Sequence, residues 1–232
     1  MTKFIAILIA LFTSLALAKT GLPQTVSYRV APYGFSEIAD LERAKIDTIK
    51  ISSIVGVKKN AIEKINHEIN KKISELKNNI IRCRAFAKPH PWSFEFKFEK
   101  IETSEIYISV VFEKFMFCGG SPSIEKFAYI FSNKTGDFVS PANVAEDLFK
   151  KMHSPFPILY KDQLQLHEDT IEKMVEDSKR LLGTYNEKCD FYLNNITYKF
   201  WPSLNLIFLF PEFRQANSSC QKEYVLEIKN VD

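Results

Sequence analysis

Four cysteines and four histidines carry the most distinctive chemistry in this 232-residue sequence. The cysteines, Cys83, Cys118, Cys189 and Cys220, are widely separated and form neither a Cys-x-x-Cys pair nor a zinc-like cluster with histidine. Among the histidines, His67 falls on the polar side of a helical pattern, His90 sits between prolines, and His153 and His167 lie in or beside loops. No His-x-x-x-His spacing and no Gly-x-Ser-x-Gly elbow occurs. Ser121 follows Gly119 and Gly120, which reads as a tight turn using glycine's freedom, not as a nucleophile site. The sequence therefore predicts no catalytic residue, no metal site and no cofactor.

The cysteines are better suited to disulfides. Residues 1–18 read as an export signal: Lys3, an apolar stretch from Phe4 to Leu17, and small residues at Ala16 and Ala18 for cleavage after Ala18. That stretch is too short and wrongly flanked for a membrane helix, and the later run Leu204–Phe210 falls well below the ~20 residues a span needs. The expectation is a periplasmic or secreted protein with no membrane anchor after cleavage, in a compartment where disulfides persist. Three pairings are open to four cysteines. Cys83–Cys118 with Cys189–Cys220 is favoured, because each pair brackets one block of elements.

Charge narrows the partners. The chain carries 31 basic and 28 acidic side chains, a net +3 that becomes +2 without Lys3. Lys58-Lys59, Lys71-Lys72 and Lys150-Lys151 are scattered pairs, not the basic stripe of a nucleic-acid binder. Near-neutrality also gives little electrostatic attraction toward a strongly basic partner. Twenty Phe and nine Tyr against seven Gly indicate a packed globule.

The elements that hold these residues follow from periodicity. Val26, Tyr28 and Val30 alternate as a strand, and residues 46–54 read as a second, with a turn at Pro32-Tyr33-Gly34 between them. Ile62, Ile65, Ile69, Ile73, Leu76 and Ile80 recur at steps of three and four, giving one long amphipathic helix, with Asn60 and Glu63 as a capping box. Trp92, Phe94, Phe96 and Phe98 alternate as a strand with one aromatic face; strands over 106–117 and 124–131 follow. Ser140-Pro141 opens a short helix with Val144, Leu148 and Met152 inward. A third helix is predicted over 164–182, with Ile171, Met174, Val175 and Leu182 on one side and Gly183 as its C-cap. Strands over 191–200, 204–210 and 223–229 complete the pattern. The class is α+β: mainly antiparallel hairpins packed against one long and two shorter helices, stapled by disulfides. Residues 19–232 form a single exported domain, or two packed halves of about 24–88 and 89–232.

Phe117-Cys118-Gly119-Gly120-Ser121-Pro122, Phe127-Ala128-Tyr129-Ile130-Phe131, Thr135-Gly136 and Leu148-Phe149 resemble the core of a family of bacterial extracytoplasmic domains. Residues 191–228, with Phe210-Pro211 and Cys220, resemble its end, and the helix with Ile65-Asn66 and Ile69-Asn70 its preceding half. The family's function is unknown. Its members occur beside polysaccharide deacetylase domains and as the outer half of a lysozyme-sensing anti-sigma factor. The resemblance implies a cell-envelope role and a binding domain more than an enzyme. Its usual histidine after Gly-Gly is absent, because Ser121-Pro122 follow directly, so no role of that histidine carries over.

The expected binding surface is the turn from Cys118 to Ser123, with residues 88–92 brought beside it by a Cys83–Cys118 bridge. It presents Trp92, His90, Gly119, Gly120 and Ser121. The expected partner is a periplasmic protein such as a cell-wall hydrolase, which this chain would inhibit, sense or confer immunity against. Peptidoglycan itself is the alternative ligand, and an unrecognised cell-wall hydrolase activity is a third reading.

Overall fold

The computed structural model describes residues 25–34, 43–152, 154–183, 186–213 and 220–228. The export signal, His153 and the last residues of the chain lie outside these. The described residues form two five-stranded sheets and four helices, an α+β architecture. Both sheets are almost wholly antiparallel, as the hairpin pattern predicts.

The first sheet holds β1 (Val26–Pro32), β2 (Ala44–Ile54), β3 (Trp92–Thr103), β4 (Tyr107–Cys118) and β5 (Ser123–Ser132), hydrogen-bonded in that order. Its one parallel pair, β2 with β3, is joined through the long helix α1 (Lys59–Ala87), as a parallel connection requires. All six apolar positions of the predicted stripe are buried, and the stripe continues through Cys83 to Ala87. It packs on Phe94, Phe96, Ile108, Val110 and Phe112. The Asn60–Glu63 capping box does not form: helix geometry already starts at Lys59, so Asn60 sits inside the first turn and its Oδ1 accepts from Ala61 N at 2.9 Å.

The second sheet, ordered β10-β9-β8-β7-β6, comprises β6 (Ile158–Tyr160), β7 (Gln163–Gln165), β8 (Tyr198–Pro202), β9 (Leu206–Pro211) and β10 (Tyr224–Glu227). A second core joins it to the far face of β4 and β5, through Tyr107, Val111 and Ile130, and to α2 (Pro141–Lys151) and α3 (Glu168–Leu182). Because β4 has core on both faces, Tyr107 to Phe112 are buried without alternation. Ser140 caps α2 as expected, accepting from Asn143 N at 3.3 Å with Pro141 at the first helical position.

Two element boundaries also differ from the sequence expectation. The third helix begins at Glu168, not 164: Leu164 is a β7 residue paired with Tyr198, and it is fully buried there. The strand expected over 191–200 begins at Tyr198, and residues Asp190–Leu193 make a single helical turn, α4, with Phe191 86% exposed. A Cys189–Cys220 bridge anchors that turn, so local β-propensity is overridden.

Candidate functional site

Both disulfides form as favoured, Cys83–Cys118 and Cys189–Cys220, and they account for all four cysteines. They fit an oxidising, extracytoplasmic compartment. Among the described residues, no helix is long and apolar enough to cross a membrane.

The Cys83–Cys118 bridge builds a corner from three segments. The last turn of α1 supplies Cys83, Phe86 and Ala87. The connection 88–91, with a cis Lys88–Pro89 bond, returns the chain into β3. The β4–β5 turn adds Gly119 to Pro122. Register places Trp92 opposite Cys118, so the two predicted segments do meet. His90 N donates to the Ala87 carbonyl, tying the connection to the helix end. Gly119 has φ +81°, and a Cβ there would lie 2.8 Å from Ala87 Cα, so only glycine lets this turn close against the helix.

His90, Gly119, Gly120 and Ser121 are exposed at this corner, as the binding-surface expectation requires. Trp92 is the correction. Only 8% of it is exposed, because it continues the Phe94 and Phe96 alternation on the face that α1 covers. Its ring is core and offers no anchor. The exposed aromatic is Phe86, at 80%. On α1 the buried positions run 76, 80, 83 and 87, and Phe86 falls one residue off this stripe, about 100° around the helix. That offset was the signal available in the sequence. Phe86 borders a cleft of about 250 Å³ with Asn79, Arg82, Lys114 and Met116, floored by the disulfide. Lys114 is held by Glu125 at 2.7 Å, leaving the corner amphipathic and mildly basic.

Two further concavities lie elsewhere. A groove of about 720 Å³ runs between the start of α1 and the Thr135-Gly136 turn, lined by Asn60, Glu63, Lys64, His67, Asp137 and Phe138. Hydrogen bonds from Thr135 and Lys64 hold the Asp137 carboxyl below its usual range. Gly136, at φ +73°, sits so close to Ala61 that an added Cβ would lie 2.2 Å from its carbonyl oxygen, which fixes the turn against the helix. The second concavity, about 480 Å³, lies beside an ionic seam between the sheets. There Lys126 meets Glu99 at 2.7 Å and Glu223 at 3.3 Å, while Lys100 meets Glu223 at 2.7 Å and lies 4.2 Å from the Phe208 ring centre. Burial pulls the Lys126 ammonium down, but its carboxylate partners outweigh this and raise it overall. Its charges pair with one another, and the seam joins the two sheets.

His67 lines the groove, and His167 Nε2 lies 3.0 Å from the Phe156 carbonyl oxygen. Among the described residues, no three His, Cys, Asp or Glu side chains converge as metal ligands.

No family model and no curated protein matches the chain. Among solved structures it is similar to a DUF3298 family protein of Pseudomonas aeruginosa, at 12% identity and a TM-score of 0.48, over 88% of each chain. That family is a domain of unknown function.

Proposed function

We propose that this protein is a non-catalytic binding protein of the cell envelope, which docks a cell-wall-active enzyme and inhibits it, senses it or gives immunity against it. The observation that carries this reading is the disulfide-fixed corner with Phe86 standing 80% exposed beside a small cleft. A large ring held in solvent by a rigid support loses little freedom on docking, and aromatic anchors dominate interface energetics. The sequence resemblance to envelope domains supports the compartment, and the disulfides are consistent with it.

The test uses the purified mature chain and a purified muramidase digesting isolated cell wall. The chain should slow wall clearance in a saturable manner. Phe86→Ala and Gly120→Asp should each weaken that effect at least about tenfold, since a hot-spot ring contributes on the order of 2 kcal/mol. An unaffected muramidase, or inhibition indifferent to both substitutions, defeats the proposal.

The alternative ligand, peptidoglycan, has its own supporting observation in the groove at the start of α1. Phe138 is 41% exposed there among amide and carboxylate side chains suited to a saccharide's hydroxyls. Co-sedimentation with purified wall that Phe138→Ala abolishes and Phe86→Ala spares would select this reading over the first.

A further inference from the structure

The Phe86 corner carries a charge that the chain as a whole does not. The acidic residues of α1, Glu63, Glu68 and Glu75, all lie before Leu76, and they pair with Lys59, Lys71 and Lys72 of the same helix. From Leu76 to Phe94 there is no acid, while Lys77, Arg82, Arg84 and Lys88 all fall there. The whole chain is only +3, so acids elsewhere offset these cations and the charge is segregated. The helix dipole favours cations near a helix C-terminus, which accounts for basic residues in the last turn. It does not account for a bare ring beside them. Arg82 precedes Phe86 by one helical turn, so the two side chains are neighbours on the helix surface, and both border the cleft floored by the Cys83–Cys118 bridge. The other cation of that cleft, Lys114, is committed to Glu125 at 2.7 Å. Arg82 is exposed and, among the described residues, meets no carboxylate.

We infer that the Phe86 corner selects a partner protein whose docking face is acidic, with Arg82 pairing a carboxylate at the rim of the socket that takes the Phe86 ring. The inference rests on the docking role proposed above for this corner and adds the chemistry of the partner. A planar guanidinium pairs bidentately with a carboxylate, and the pair strengthens where an adjacent ring excludes water. Arginine and aromatic residues are also the side chains that interfaces concentrate. A strongly cationic enzyme meets like charge here, which slows encounter and leaves Arg82 desolvated without a partner. An anionic bilayer fits less well. Bilayer docking needs several apolar side chains on one side of the helix. The other large exposed apolar residue of α1, Ile81, lies about 140° around the helix from Phe86. A single ring gives only marginal affinity for a bilayer.

The probe is a purified muramidase of acidic isoelectric point, titrated with the full mature chain by calorimetry and by the slowing of wall clearance. Saturable binding is expected, weakening at least about fivefold as salt rises from about 50 mM to about 300 mM. Arg82→Glu should weaken it at least about tenfold and Arg82→Gln at least about threefold. Both should leave the melting temperature unchanged, because this side chain is in solvent. Arg82→Gln should also flatten the salt dependence, whereas Phe86→Ala should lower affinity and keep that dependence. If Phe86→Ala weakens binding while salt and both Arg82 substitutions do not, the docking role stands and the acidic partner is wrong. Equally tight binding of a strongly cationic muramidase leads to the same conclusion. A muramidase that the chain neither binds nor slows removes the inference together with the role it rests on. Sedimentation of the chain with phosphatidylglycerol vesicles, lost in Arg82→Glu, would make a membrane the occupant and overturn the inference.

Discussion

Helices α1 and α3 read alike in the sequence, each with an apolar side and a charged side, yet they do different work. α1 lies flat on the face of the first sheet and buries Ile62, Ile65, Ile69, Ile73, Leu76, Ile80 and Cys83. α3 buries Ile171 and Met174 but also Thr170, Asp177 and Ser178, and its polar residues bond the backbone of β10. Leu182, expected on its apolar side, is 36% exposed. α1 is held mainly by apolar contact and α3 largely by directional bonds to a strand edge. Periodicity finds amphipathic helices, but it does not say whether a helix covers a face or an edge.

The sharpest way to break this contrast is Ile69→Asp. A carboxylate at a fully buried position meets no partner, and the expected loss is at least about 4 kcal/mol, enough to abolish the cooperative melt. An unchanged melting curve would remove α1 from the core. Next comes Cys83→Ser with Cys118→Ser. Opening this bridge should lower stability by about 3–4 kcal/mol in the chain-entropy picture, measured in urea, and should loosen the corner that holds Phe86. Third, Ser178→Ala leaves a buried N–H and C=O of Val225 without partners, for a loss of about 1–3 kcal/mol. Amide exchange should accelerate at Val225; if it does not, α3 is not an edge cover.

A smaller effect concerns pH. Burial, then the neighbouring Asp147 carboxylate, raises the Tyr107 hydroxyl to about 12. The folded state therefore holds this proton more tightly than the unfolded chain. The stability it contributes is intact below about pH 10 and is lost as pH rises toward 12. Tyr107→Phe should make the alkaline fall in melting temperature shallower. The smallest expected effect on stability is Phe86→Ala, within about 0.5 kcal/mol because the ring is already in solvent. A large loss there would show that Phe86 packs, which would undercut it as a docking anchor.

Much of the site was legible in advance. Pairing Cys83 with Cys118 was enough to bring residues 88–92 beside the Gly119–Gly120 turn, and the β3–β4 register does place Trp92 opposite Cys118. Reading Trp92 as exposed failed because strand alternation names two faces without saying which one a helix covers. Phe86 was overlooked because an aromatic off a helix stripe looks like an ordinary surface residue until the segments around it are assembled.

Composition and periodicity by themselves determined the α+β class, the α1 stripe and the hairpin order from β3 to β5, since these depend on contacts between residues near in sequence. The division into two sheets, the ionic seam from Lys126 to Glu223, the covering of β10 by α3 and the exposure of Phe86 were decided only in three dimensions. Each depends on which of several equally apolar or polar faces meets a distant segment, and that choice is made by packing the whole chain at once.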